Sequence, residues 1–284
     1  MPSVTPKRPV DPITVRVLGE VNAVVQRYAT DFMLVGATAR DVLLQNVYGL
    51  PPSRQTRDID LAIVLPGWDS FDALRKDLIA TQRFKADSQI QRLRYCLPDG
   101  SLHPVDLLPF GDIEHDAGSI AWPPDMTVVM NVLGFADALR AAVRVQMTPE
   151  LEVPVASLAG IALLKVIAWS DRGSDNPKDA VDLAEILERY ADAGNQERIY
   201  GEAAAALESL QYDPQRAGMW LLGRDLARLT SDATRDTVIG VLREPRQRDR
   251  LATHMIRGQP VDDNAYEAAR TSLADFCAGI LGET

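Results

Sequence analysis

The chain has 284 residues, 46% of them hydrophobic and 25% charged, with 30 basic against 40 acidic side chains and a net charge of −10. That length and composition fit a soluble globular protein of one large or two ordinary domains. The acidity argues against nucleic-acid binding through overall charge, because such binding rests on neutralising phosphates, so an RNA substrate would need a local basic patch. Residues 1–150 carry a net charge of −3 and the remainder −7. Cys96 and Cys277 lack metal-ligand spacing and read as buried thiols of a reducing, cytoplasmic setting. Lys7 and Arg8 are followed by Pro9, Asp11 and Pro12 rather than an apolar segment, so no secretory signal is visible. The most apolar helical run, Leu158 to Trp169, is broken by Lys165, so no membrane span is expected.

In chain order, residues 1–12 are proline-rich and read as a flexible arm. Val17, Val21, Val24, Val25 and Tyr28 follow helical spacing within Ile13–Tyr28. Phe32–Val35 is a short apolar strand that ends at Gly36, and Ala37–Leu44 returns to helical character. A helix that starts at a strand end points unused backbone N–H groups there, which favours an anion such as phosphate. Asn46–Gln55, with Gly49, Pro51 and Pro52, reads as a loop. Arg57–Leu65 is then a near-continuous apolar strand, expected to be covered on both faces, and its leading end carries Asp58 and Asp60. Trp68–Thr81 is an amphipathic helix. Gln91–Leu97 turns at Asp99-Gly100 into the strand His103–Phe110, which places Asp106 in a similar setting. Gly111–Pro124 reads as a surface loop containing His115. Thr127–Met130, Ala141–Met147 and Leu151–Val155 are strand candidates around a short helix at Gly134–Leu139. Beyond 156 the chain reads as helices at 156–170, 177–192, 195–210, 215–230, 233–243 and 263–281. The expected domains are thus 13–155 and a helical 156–284.

Side chains at i and i+2 of a strand share a face with Cα atoms about 7 Å apart. Asp58 and Asp60 therefore converge, and two adjacent anions repel unless a cation lies between them. The plainer alternative pairs them with Arg57 or Arg40. A third carboxylate, Asp106, set in apolar sequence is hard to explain by packing, since a buried charge is costly. Lys165 interrupts Ile161–Ile167, so it either snorkels to solvent or faces a cleft. Arg172 lies about two turns later on the same helix face. Arg92 and Arg94 read as phosphate contacts or equally as the wet face of a strand. Arg243, Arg246, Arg248 and Arg250 read as a solvated helix end rather than an RNA contact.

These residues together resemble the nucleotidyltransferase superfamily, and more narrowly its AbiEii/AbiGii toxin group. Gly36-Ala37-Thr38-Ala39 matches a first motif of the Gly-x-Thr-Ala kind. Arg54-Gln55-Thr56-Arg57-Asp58-Ile59-Asp60-Leu61 nearly meets Arg-x-Thr-x-Asp-Ile-Asp-Leu. Lys165 to Arg172 matches Lys-x-x-Ala-x-x-x-Arg, and Lys178-Asp179-Ala180-Val181-Asp182-Leu183 matches Lys-Asp-x-x-Asp-Leu. Where many members have Gly-Ser or Gly-Gly, this chain has Gly36-Ala37, so Thr38 would supply the hydroxyl. The resemblance implies an α+β nucleotidyltransferase fold, a mixed sheet with flanking helices followed by a helical region. It implies Mg²⁺ as cofactor, two ions in the usual scheme, and an NTP as substrate. Asp58, Asp60 and Asp106 become metal ligands and, with Lys165, catalytic residues, with Asp106 alternatively a base. Gly36, Ala37, Thr38, Arg40, Arg57, Lys165 and Arg172 become nucleotide contacts, and Arg54 a further phosphate candidate. Lys178, Asp179 and Asp182 either belong to the site or simply open a helix. The implied reaction moves an NMP to an acceptor hydroxyl, on a tRNA 3′ end if the protein is a toxin with an antitoxin partner. Two readings stand beside it: a small-molecule (aminoglycoside-type) or protein adenylyltransferase, and a non-catalytic module of the same fold.

Overall fold

The computed structural model describes residues 1–52, 58–116, 118–172, 176–258 and 263–283. The chain divides into two compact units, Met1–Ser157 and Leu158–Thr284. The first contains β1 (Ser3–Val4), α1 (Pro12–Val25), a 3-10 turn at Gln26–Tyr28, β2 (Phe32–Val35), and α2 (Gly36–Asp41), which runs into a π-helical turn at Val42–Val47. It continues through β3 (Ile59–Val64), α3 (Trp68–Ala80), β4 (Phe84–Ala86), β5 (Arg92–Cys96) and β6 (Leu102–Phe110). It closes with β7 (Ser119–Trp122), β8 (Val128–Asn131), α4 (Phe135–Arg140), β9 (Val143–Thr148) and β10 (Leu151–Val155). Eight strands form one sheet in the order β1-β9-β10-β2-β3-β6-β5-β4, and β7 and β8 form a separate pair.

Local chemistry explains the elements that hold the site. Oδ2 of Asp11 accepts the Thr14 N–H at 2.9 Å, which caps α1, and Pro12 sits at the helix start, where a missing N–H is no loss. The buried stripe Val17, Leu18, Val21, Val24 and Val25 gives α1 its inner face. β3 lies between β2, to which it is antiparallel, and β6, to which it is parallel. Its Ile59, Leu61, Ala62 and Ile63 are all buried, so the near-continuous apolar run is that of an inner strand. The Asp99-Gly100 turn joins β5 and β6 as an antiparallel pair, with Cys96 opposite Leu102.

Three features of the first unit differ from the sequence reading. Within residues 1–12, Ser3 and Val4 pair in parallel with Arg144 and Val145 of β9, and the N–H groups of Lys7 and Arg8 reach the Asn46 carbonyl at 2.7 and 3.0 Å. A strand, β7, lies within the stretch read as a surface loop. Trp122 at its end sets its ring 5.2 Å from Trp68 and 5.7 Å from Phe71, so aromatic packing on α3 orders it. A short β4, in a stretch to which the sequence reading assigns no element, pairs with β5.

The second unit is helical: α5 (Leu158–Arg172), α6 (Lys178–Arg189), α7 (Gln196–Tyr200), α8 (Ala204–Ser209), α9 (Pro214–Leu229), α10 (Asp232–Arg243), α11 (Pro245–Met255) and α12 (Asp263–Leu281). The single helix expected over 195–210 is two, because the chain turns at Gly201, with φ −102° and ψ −90°. α9 and α12 approach closely: a Cβ on Gly223 would lie 2.1 Å from the Phe276 carbonyl oxygen, and one on Gly279 would lie 1.9 Å from that of Trp220. Among the described residues no helix is long and apolar enough to cross a membrane.

Candidate active site

The strand order places two of the three candidate aspartates, Asp60 and Asp106, side by side, with Asp58 two residues ahead of Asp60. Val35, the last residue of β2, stands opposite Asp60 of β3, and Asp60 stands opposite Asp106 of β6. Asp106 in turn faces Arg92 of β5. Asp58 is exposed, just ahead of β3, and Asp60 and Asp106 are half-buried. Carboxylates on the β3 face and on the neighbouring β6 position thus gather at one end of the sheet, next to Gly36.

Gly36 and Thr38 shape the ground around them. Gly36 has φ +71°, a left-handed conformation, and a Cβ there would meet Oδ2 of Asp60 at 2.1 Å. Glycine serves both needs, permitting the turn and letting the carboxylate approach the backbone. Thr38 Oγ1 donates to the Asp58 carbonyl at 2.6 Å. Its hydroxyl proton is therefore used to fix the main chain at Asp58 rather than offered to a phosphate. Ala37 is buried beside it, and Arg40 is 1% exposed. Arg40 donates from Nε and NH2 to Oδ1 of Asp41 at 3.0 and 2.7 Å, so the structure places this cation in the interior rather than at an open phosphate site. Arg54 and Arg57 lie outside the described residues.

Arg92 is the group whose role the sequence leaves undecided. Its Nε and NH2 donate to Oδ1 and Oδ2 of Asp106, each at 2.6 Å, a fork-to-fork pair. The hydrogen bonds to Asp106, opposed by burial and reinforced by the charges of Asp106, Asp58 and Asp87, hold the guanidinium above its ordinary range. The pairing is set by the hairpin register: the Leu97 N–H donates to the Ser101 carbonyl at 2.9 Å, closing a three-residue loop over 98–100 that puts residue 92 across from 106, where a two-residue Asp99-Gly100 turn would put it across from 107. Arg94, two residues on, bonds Oδ2 of Asp87 at 2.5 Å. The Gln89 backbone N–H, together with Arg94, pulls the Asp87 carboxyl down to about 2.

The donor chemistry can be tested against a divalent ion. Magnesium takes hard oxygen ligands and is commonly held by one or two carboxylates, with waters and substrate phosphates completing its shell. Asp58 and Asp60 fit that pattern. Asp106 has both oxygens bonded to Arg92, and among the described residues no three Asp, Glu, His or Cys side chains are grouped to hold a metal.

The remaining predicted residues gather in the second unit. Lys165 Nζ lies 2.9 Å from Oδ1 of Asp179 and 2.6 Å from Oδ2 of Asp182; both aspartates are buried and the lysine side chain is 13% exposed. Burial pushes the ammonium down, but the charges of Asp179 and Asp182 and their hydrogen bonds outweigh it and hold the group above its ordinary value. The half-exposed Arg172 brings Nε to 3.6 Å from Oδ2 of Asp179. Lys165 therefore neither snorkels nor stands as an unshared cation. Lys178 is exposed, as is His115. Of the arginines read as a solvated helix end, Arg243 lies 3.6 Å from Glu283 and Arg250 covers the Trp169 ring at 4.7 Å.

Comparison with known proteins follows from this geometry. The family described as nucleotidyl transferase AbiEii toxin, type IV TA system, matches residues 17–271. No curated protein matches the chain in sequence. Among solved structures, an antigenic nucleotidyltransferase-like protein from Paracoccidioides brasiliensis is 16% identical, with 72% of this chain and 92% of that one covered and a TM-score of 0.42. The antibiotic-resistance factor ANT(2'')-Ia is 15% identical over 71% of this chain and 98% of that one, with a TM-score of 0.37. A Thermotoga maritima CCA-adding enzyme complexed with tRNA is 12% identical over 92% of this chain and 66% of that one, with a TM-score of 0.26. These three scores are low, and the assignment rests on the family match, which spans most of the sequence including both units. By that match the chain belongs to the AbiEii family of nucleotidyl transferase toxins of type IV toxin–antitoxin systems, and it is a nucleotidyltransferase.

Proposed function

We propose that the protein transfers an NMP from an NTP to an acceptor hydroxyl in a Mg²⁺-dependent reaction, with a tRNA 3′ end as the acceptor and an antitoxin as its partner in the cell. The observation that carries this reading is the convergence of Asp60 and Asp106 on neighbouring strands in register, with Asp58 two residues ahead and Gly36 against Asp60. In such a transfer the acceptor oxygen bonds to the α-phosphorus while the bond to the bridging oxygen breaks and pyrophosphate leaves, so charge on the phosphate oxygens must be neutralised. Asp58 and Asp60 would hold the magnesium that supplies this neutralisation when bound. The chain's own residues do the positioning. Gly36 lets the Asp60 carboxylate sit against the backbone, Thr38 anchors the carbonyl of Asp58, and Arg92 fixes the orientation of Asp106. Membership in a toxin family supports the antitoxin partner.

The net charge of −7 beyond residue 150 favours a second reading, in which a cationic small molecule rather than RNA accepts the nucleotide. The test is incubation of the protein with each α-³²P-labelled NTP, Mg²⁺ and total tRNA, beside an Asp58→Ala/Asp60→Ala chain. Label on RNA only with the intact aspartates supports the first reading and identifies the nucleotide. NTP turnover without labelled RNA, together with label on an aminoglycoside, would transfer support to the second.

A further inference from the structure

The fork-to-fork contact between Arg92 and Asp106 points to a site built for one divalent ion, not two. We propose that Arg92 occupies, as a permanent side chain, the place at Asp106 that a second metal ion would take, so that Asp58 and Asp60 bind a single ion beside a fixed guanidinium. This rests on the metal-dependent reading given above.

Several observations lead to it. Both oxygens of Asp106 are already bonded, at 2.6 Å each, and the bonds join directly opposed residues of adjacent strands. The sheet therefore presents Arg92 to Asp106 before any ligand arrives. A second Mg²⁺ would have to shed water, which it does reluctantly, and either displace the guanidinium or share the Asp106 carboxylate with it at close range as a like charge. Arg92 also lies within electrostatic reach of Asp58. Arg94 does not duplicate this role, since it is tied to Asp87 at 2.5 Å. Arg92 is thus a positioning residue, acting on Asp106 and on the number of ions the site admits.

The readout is a metal count, separate from turnover. The full chain is titrated with Mn²⁺ in the presence of each α,β-methylene nucleoside triphosphate, and bound Mn²⁺ is measured by electron paramagnetic resonance against a blank of analogue without protein. One ion per wild-type chain is expected. Arg92→Ala should gain a second, and Arg92→Ala/Asp106→Asn should weaken that second ion at least tenfold. Because Arg92→Ala could fail to fold, Asp106→Asn in the otherwise unchanged chain provides an independent arm, and its count should stay at one. Two ions on the wild-type chain, with one lost in Asp106→Asn, would overturn the proposal and leave nucleotidyl transfer standing. No ion on the wild-type chain with any analogue would overturn the metal-dependent reading itself.

Discussion

Gly36 and Asp60 meet so closely that a single methyl group at residue 36 would lie 2.1 Å from a carboxylate oxygen of Asp60. The contact joins the glycine turn to the acidic strand more directly than their separation in sequence implies.

Gly36→Ala should therefore do two kinds of damage. A non-glycine residue in the left-handed region costs about 1–3 kcal/mol, and the new Cβ must push the Asp60 side chain aside. Urea unfolding should show a loss of that order, and NMP transfer should fall at least tenfold, since displacement of a catalytic group by about 1 Å commonly costs more than that. A fully active Gly36→Ala protein would remove Asp60 from the reaction.

Glycines in helices of the second unit separate two opposed effects. Alanine in an exposed helix interior is favoured over glycine by about 0.5–1 kcal/mol, and a Cβ on Gly240 meets nothing within 4 Å. Gly240→Ala should raise stability by about that amount. At Gly279 the same change drives a Cβ to 1.9 Å from the Trp220 carbonyl oxygen. Overpacking of about 1–3 kcal/mol then exceeds the helix gain, and Gly279→Ala should be less stable than wild type. Thermal melts of the two variants side by side would read the opposite signs.

Lys165 should matter to stability without any nucleotide present. Its ammonium lies between two buried carboxylates, and removing one partner from a buried ion cluster typically costs about 3–5 kcal/mol. Lys165→Met should lower the free energy of unfolding by that order in buffer lacking NTP and metal. An unchanged unfolding midpoint would mean that the lysine serves the substrate and not the fold.

The imidazole of His254 gives a pH dependence of known sign. Its Nδ1 accepts the Trp169 indole N–H at 3.0 Å, and because indole only donates, the ring is neutral with its proton on Nε2. Burial, followed by the charges of Arg250 and Arg257, holds its pKa below the ordinary 6.5. As pH falls below 6.5 the unfolded imidazole takes up a proton that the folded one refuses, so stability present above that value is lost toward acid until the folded ring itself titrates. Urea midpoints between pH 7.5 and 5.5 should fall, and in His254→Gln the slope should flatten. An NMR titration of the His254 ring offers a direct check; a midpoint at or above the ordinary 6.5 would contradict the contact.

Much of the first unit was legible because its signals are local. The apolar run behind Asp60 announced an inner strand, and Asp99-Gly100 announced the hairpin between β5 and β6, while the register that sets Asp106 opposite Arg92 comes from a three-residue loop over 98–100. Less legible were properties set by contacts distant in sequence. Nothing around Arg40 shows that its guanidinium turns inward to Asp41, and Lys165 could be placed only once Asp179 and Asp182 were seen beside it. α11 escaped because its arginines mask a narrow buried stripe of Leu251, Ala252, His254 and Met255. Its start was nevertheless marked by Pro245 in the first turn and by Glu244, whose carboxylate accepts the N–H groups of Arg246 and Gln247 at 3.2 and 2.6 Å.

The two-residue strand at Ser3–Val4 has a practical consequence for anyone preparing this protein. It lies at the sheet margin, fastened by the Arg144 N–H to the Pro2 carbonyl at 2.8 Å and by Ser3 Oγ to Glu152 at 2.5 Å. Trimming an expression clone to begin at Pro12, as the proline-rich composition invites, would uncover the backbone of β9 and leave a bare margin able to recruit a second molecule. Poor solubility of such a clone would then reflect the missing strand and say nothing about toxicity.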